Sequence, residues 1–277
     1  MAAPCFRAYL PKEHGGWFLF LTPLAVGLAV AWQWNRAALT FIVASLALFL
    51  IRPPLELALK VWRGARTRDH AVRVPALHAW LLVYGALIAL TGGSLLFLDG
   101  RWGLIPLGAI GAGLIGLQLW AANARLARTL WSEVIGTAGL SLAAAGAHYA
   151  AAGAWSVTAG ALWLLMAVSG VGGVLYSRWR LRRRRLAARI AVAEAPAAPP
   201  RVSVLAHYAS GLALVLFLAA AGWTPPTVIP LYAVLLARVA IGTRPRARPD
   251  RTVLAIGLEE GIVTLVAGAW IVATYRL

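Results

Sequence analysis

The sequence predicts an all-α fold, a polytopic membrane helical bundle of about nine transmembrane helices that forms one integral membrane domain over residues 1–277. The composition supports this prediction, because 61% of the residues are hydrophobic, only 13% are charged and the mean hydropathy is +0.76. A soluble domain has roughly 45–50% apolar and about 25% charged residues. These values exclude a soluble globular enzyme and a disordered chain.

Nine apolar runs define the predicted spans. A helix that crosses the hydrocarbon core needs about 20 apolar residues. The runs cover residues 16–32, 37–60, 77–98, 102–123, 130–152, 155–177, 203–223, 226–243 and 252–275. They divide into two four-helix halves plus one helix, with residues 178–202 forming a basic cytoplasmic loop that contains a Pro/Ala-rich linker at 194–200.

The positive charge predicts the orientation. Net charge is +17, and placing the N-terminus in the cytoplasm puts 22 of the 26 Lys and Arg residues in inner segments and three outside, with Arg52 inside the second span. This split follows the positive-inside rule. It predicts a multi-pass protein of the inner (plasma) membrane with a cytoplasmic N-terminus and an outside C-terminus. The expected partner of the charge is a bilayer with anionic headgroups and not a nucleic acid.

The second predicted span carries three ionisable residues on one helix face. Arg52, Glu56 and Lys60 are spaced i, i+4 and i+8, and such residues lie above one another on a helix. Pro53 and Pro54 should kink or interrupt this helix. Two interpretations remain open: an ion-pair ladder near the interface, or one charged wall of a cavity that faces the cytoplasm.

Further ionisable residues inside apolar segments are candidate ligand-binding residues, because burying a charge in a bilayer is costly. We expect Glu13 or Glu133 to pair with a basic residue of another span, and Glu259 or Glu260 to face the bundle. A single Cys and the absence of His pairs at i, i+4 predict no metal site, and neither a cofactor nor a catalytic residue can be assigned. The remaining candidates are Lys12, His14, Arg125, Arg128 and His207.

Two compositional runs have structural interpretations. The arginine-rich run at 178–185 predicts a solvated face that binds lipid headgroups. Glycines at 108, 111, 113 and 116, and the GVGG run at 170–173, predict packing surfaces between helices.

The sequence resembles a known family in two blocks. The run PKEHGGWFLFLTPLAVG at 11–27 resembles the signature of the YwiC-like family of bacterial membrane proteins, and ARTLWSEVIGTAGLSLAA at 127–144 resembles its second recurrent block.

The predicted topology also has a remoter resemblance to UbiA-type intramembrane prenyltransferases. That superfamily has nine helices, a cytoplasmic cavity and two Asp-rich motifs, after spans two and six, that bind a prenyl diphosphate through magnesium. At the corresponding places this chain has Arg52, Glu56 and Lys60, and then the Arg-rich segment 176–185, so the Asp-rich motifs are lost.

Three functions follow as hypotheses. The first is an accessory membrane protein whose charged cavity binds an amphipathic anionic, isoprenoid or quinone-like ligand. The second is a divergent UbiA-like transferase that lacks the usual magnesium motifs. The third is a transporter of a small anion.

Overall fold

A computed structural model describes residues 14–62, 74–123, 129–187, 200–244 and 252–277. It contains nine α-helices over this part of the chain: α1 (His14–Ala31), α2 (Arg36–Trp62), α3 (Val74–Gly93), α4 (Leu104–Asn123), α5 (Leu130–Ala152), α6 (Val157–Ala187), α7 (Arg201–Ala220), α8 (Ile229–Gly242) and α9 (Val253–Thr274). A π-helical turn, Ser94–Leu98, extends α3, and a 3-10 turn, Pro226–Val228, precedes α8.

The helices match the lengths that a membrane requires. Seven of them are long and apolar enough to cross a bilayer, and the other two apolar segments, Gly15–Ala31 and Pro226–Gly242, are shorter. Each predicted span coincides with one helix, and no strand occurs among the described residues. The all-α membrane bundle is therefore confirmed, whereas the crossing by nine helices and the UbiA-like arrangement in two halves remain predictions.

Four helices form the centre of the bundle. α1 packs against α5, α6 and α9, and α6 also packs against α5 and α9. α2, α3 and α4 are attached on the α5 side, and α7 and α8 on the α6 side. The backbones of α1 and α5 approach most closely at Gly27, because a Cβ atom there would overlap the carbonyl of Ala144 on α5. Small residues allow backbones to approach in this way in membrane bundles. This compact centre positions the charged ends of α5, α6 and α9 beside each other.

The α4 glycines correct one prediction. A Cβ atom on any of Gly108, Gly111, Gly113 and Gly116 would meet no atom of the described residues within 4 Å, so these glycines do not form a packing surface against the described helices. α4 instead contacts α5 through its larger side chains: Gln118 lies over Gly136 and Leu114 over Gly139. The glycines against which neighbouring side chains pack are therefore Gly136 and Gly139 of α5. The GVGG prediction is confirmed, since Gly170 packs against Thr137 and Gly172 against Tyr208.

Two helices continue where the sequence suggested a break. α2 runs without interruption through Pro53 and Pro54, although each proline removes a backbone donor; Pro54 is buried in the bundle. α6 continues ten residues past the predicted span, to Ala187. Leu and Arg are good helix formers, so residues 178–187 are helical, while residues 188–199, with most of the predicted linker, lie outside the described residues.

The bundle has two different ends. At the short-loop end, defined by the connections 32–35, 99–103, 153–156 and 221–225, Arg36 pairs with Asp99 at 2.8 Å. There Arg276 also donates to the carbonyl of Ala29 and places its Cζ 4.1 Å from the ring centroid of Trp32. The other end, where α2, α6 and α8 finish and α5, α7 and α9 start, carries most of the charge and is called the basic end below.

Candidate functional site at the basic end

Four charged side chains from three helices meet at the basic end and form what we call the Arg–Glu quartet: Arg180 of α6, Arg238 of α8, and Glu259 and Glu260 of α9. Arg180 Nη2 lies 2.6 Å from Glu259 Oε2, and its Nη1 lies 3.1 Å from Glu260 Oε1. Arg238 Nη2 lies 2.7 Å from Glu259 Oε1 and 2.5 Å from Glu260 Oε1. Each arginine therefore bridges both carboxylates, and the quartet is neutral as a whole.

The two glutamates of the quartet differ in exposure. The side chain of Glu259 is 48% exposed, whereas that of Glu260 is 11% exposed. This difference arises because adjacent residues on a helix point about 100° apart. Glu260 therefore faces the bundle, as the sequence predicted for at least one of the pair, and Glu259 lies at its surface.

The ring of Tyr176 contacts both arginines of the quartet. The ring centroid of Tyr176 lies 5.4 Å from Arg180 Cζ and 5.0 Å from Arg238 Cζ, which are cation–π distances. The hydroxyl of Tyr176 fits only because residue 242 is glycine, since a Cβ atom there would overlap it. Arg183 also contacts this region by donating to the carbonyl of Gly242 at 3.1 Å.

A second ion pair links α5 to α6. Arg178 places Nη2 2.5 Å from Glu133 Oε1 and Nε 2.6 Å from Glu133 Oε2, a two-point geometry that orients both groups. The predicted pairing of Glu133 with a basic residue of another helix is confirmed. Thr129, at the N-cap of α5, accepts from the backbone N–H of Ser132 and so defines where the helix carrying Glu133 begins.

The charged face of α2 forms a third group. Arg52 Nε donates to Glu56 Oε1 at 2.9 Å, with side-chain exposures of 42% and 28%, and Lys60 is exposed. The Arg52–Glu56 step of the predicted ladder is confirmed. α2 packs against α3 and α5, so this pair lies on a different side of the bundle from the Arg–Glu quartet on α6, α8 and α9.

The remaining sequence-predicted candidates have separate positions. His207 lies with Nε2 2.9 Å from the carbonyl of Val168, so it connects α7 to the α6 backbone. His14 is the first residue of α1. Lys12, Glu13, Arg125 and Arg128 lie outside the described residues, as does Asp69 of the loop between α2 and α3.

The charged side chains described at this end are mostly arginines paired with glutamates. Across the described ranges no three His, Cys, Asp or Glu side chains lie close enough together to hold a metal ion. Guanidinium groups, which bind carboxylates and phosphates in a planar two-point geometry, supply half of the Arg–Glu quartet. Arg178, Arg180 and Arg238 each bind a carboxylate of the protein itself.

Sequence reasoning missed the arginines that organise the site. The run 178–185 was predicted as a solvated face, yet Arg180 is 7% exposed and ion-paired. The span was predicted to end at 177, but α6 continues to Ala187. The continued helix places Arg180 one turn beyond Tyr176, toward α9. For Arg238 a signal did exist, since it is the one charged residue within the apolar run 229–241.

Comparison with known proteins identifies one family. A family model described as YwiC-like protein matches residues 10–148, which is half of the chain. The match includes α1 to α4 and most of α5, and thus the Arg52–Glu56 and Glu133 positions. No curated protein and no solved structure matches the chain.

Proposed function

The chain belongs to the YwiC-like family, and we propose that this integral membrane protein binds an amphipathic anionic molecule at its basic end in an accessory role. The ligand class includes isoprenoid or quinone-like molecules with an acidic head. The basic end faces the cytoplasm in this proposal, as the distribution of Lys and Arg predicts.

The observation that carries the proposal is the way charge is distributed at the basic end. Each of the four acids described there, Glu56, Glu133, Glu259 and Glu260, is paired with an arginine. Further basic residues at the same end, Lys60, Arg182, Arg201 and Arg244, are exposed. This surplus supports attraction of anionic headgroups, each basic residue near the surface contributing about 1 kcal/mol.

An accessory binding role fits the organisation of these side chains. The carboxylates are bound by guanidinium groups, which orient them and reduce their capacity to hold a metal–diphosphate complex. Two places could receive the head of the ligand: the α2 face with Arg52 and Lys60, or the Arg–Glu quartet with Arg180 and Arg238. Both have apolar helix surface beside them for a tail.

Native mass spectrometry of the protein purified in a mild detergent tests the proposal. We expect bound species enriched in anionic amphipathic molecules relative to the membrane from which the protein was extracted. Bound lipids that simply mirror the bulk membrane composition would contradict it. Turnover of a prenyl diphosphate would instead support the transferase hypothesis, and anion uptake into proteoliposomes would support the transporter hypothesis.

A further inference from the structure

α8 and α9 leave an apolar groove between them on the surface of the bundle. The groove has a volume of about 600 Å³ and is lined by residues that include Thr227, Pro230, Val266, Trp270 and Ala273. Its two walls are joined where Trp270 Nε1 donates to the carbonyl of Thr227 at 3.0 Å. The two helices are thus linked at the short-loop end by this hydrogen bond and at the basic end by Arg238.

An exposed stripe along α9 leads from the groove to the Arg–Glu quartet. On α9, Glu259, Ile262, Val266, Trp270 and Ala273 are all exposed, and their spacing of three or four residues places them along one side of the helix. Fourteen residues separate the two ends of this stripe, or about 21 Å at 1.5 Å per residue.

α8 provides a matching apolar stripe. Pro230, Val234, Ala237 and Ile241 are exposed at the same helical spacing, and Arg238, next to Ala237, reaches Glu259. The surface between α8 and α9 is thus apolar along its length and charged at one end. This is the pattern of a site for a molecule with an apolar tail and a polar head.

Glu259 occupies the charged end of this surface. Arg180 and Arg238 each bind one oxygen of its carboxylate, at 2.6 and 2.7 Å. Both arginines are also held by Glu260 and by the ring of Tyr176. Both arginines thus keep contacts with Glu260 and Tyr176 besides those with Glu259, whose side chain is half exposed.

We propose that the two arginines and the α8–α9 groove form a binding site for a single amphipathic molecule with a monoanionic head, and that Glu259 occupies the place of that head in the empty protein. With Glu259 displaced, two arginines and Glu260 leave one net positive charge, which matches a carboxylate or a phosphodiester. The assignment rests on the proposed function and specifies where and how the ligand is recognised.

Titration of the purified full-length protein with dodecanoate and with short-chain phosphatidylglycerol tests this assignment. Glu259→Gln removes the competing charge, so dodecanoate should bind about tenfold more tightly, which corresponds to about 1.4 kcal/mol. Asp99→Asn is the matched control, because Asp99 is also an ion-paired acid but lies beside Arg36, on the side of α2 and α3 and away from α8 and α9. It should leave the affinity unchanged.

Additional variants separate the head from the tail. Arg238→Gln should abolish the gain that Glu259→Gln produces, and Val266→Trp, which fills the groove, should weaken dodecanoate but not acetate. Should Glu259→Gln fail to fold, Glu259→Asp withdraws the carboxylate while keeping its charge and should also tighten binding. The dodecanoate and phosphatidylglycerol titrations distinguish a carboxylate head from a phosphodiester head.

The outcomes distinguish this assignment from the proposed function. Unchanged affinity in the Glu259 variants, or loss of binding in Arg52→Gln with Arg238→Gln unaffected, would overturn the α8–α9 site while leaving an anionic ligand in place. If neither probe binds the wild-type protein more tightly than the neutral detergent dodecyl maltoside, the site and the proposed function both fail.

Discussion

Arg178 on α6 binds both carboxylate oxygens of Glu133 on α5, at 2.5 and 2.6 Å. The arginine side chain is 10% exposed and that of the glutamate 40%, so the pair lies at the edge of the interface between two central helices. Loss of one partner leaves a nearly buried charge without its counter-charge, which costs more than the pair contributes when intact.

Removal of Glu133 should therefore destabilise the protein measurably. We expect Glu133→Gln to lower the free energy of unfolding by about 1–3 kcal/mol, measured by thermal unfolding in detergent. Glu56→Gln is the control, because the Arg52–Glu56 pair lies within one helix and exposed pairs of this kind contribute about 0.3–0.5 kcal/mol. Equal effects of the two substitutions would show that the two-point geometry adds nothing.

Two glycines of similar appearance in the sequence should respond in opposite ways to the same change. Gly27→Ala introduces a Cβ atom that overlaps the carbonyl of Ala144, so α1 and α5 must separate and stability should fall. Gly113→Ala meets nothing within 4 Å, and alanine favours the helix by about 1 kcal/mol over glycine. Thermal unfolding should show a lower midpoint for the first variant and an equal or higher one for the second. A fall in both would place an unseen contact on α4.

Periodicity and length were sufficient to predict the helices. A bilayer demands long apolar segments, so each of the nine runs corresponds to a helix, and the predicted fifth span at 130–152 agrees with α5 residue for residue. Spacing along one helix was equally informative, since Arg52 and Glu56 at i and i+4 pair as predicted. Both inferences depend only on local geometry.

Contacts between helices could not be derived in this way. Glu259 or Glu260 was expected to face the bundle, but which of them does so and which arginine it meets depend on how α6, α8 and α9 pack, and that packing depends on fits such as Tyr176 against Gly242. The prediction that the α4 glycines form a packing surface was wrong for the same reason. Their spacing shows that a close approach is possible, while the larger side chains Leu114 and Gln118 determine which face meets α5.

Magnesium should not be required for ligand binding. A magnesium–diphosphate complex needs several carboxylate or other hard oxygen ligands, and at the first UbiA-like position the one acid, Glu56, is paired with Arg52. We expect any affinity for farnesyl diphosphate, measured by isothermal titration calorimetry, to be the same with magnesium and with EDTA. A strong requirement for magnesium would mean that residues such as Glu13 and Asp69 assemble a site with Glu56.

Whether the two shorter apolar segments cross the bilayer decides the topology. A measurement of the topology is therefore the most informative test of the fold. The apolar segments Gly15–Ala31 and Pro226–Gly242 have 17 residues each, or about 26 Å, slightly less than the roughly 30 Å hydrocarbon core. If both cross, nine crossings place the two chain ends on opposite sides. Alkaline phosphatase fused after Leu277 should then be active, and green fluorescent protein inserted at Ala195 should be fluorescent, since each reporter works on one side only. An inactive C-terminal phosphatase together with fluorescence at Ala195 would mean that the short segment Pro226–Gly242 does not cross, and the Arg–Glu quartet would then need a new placement relative to the membrane surface.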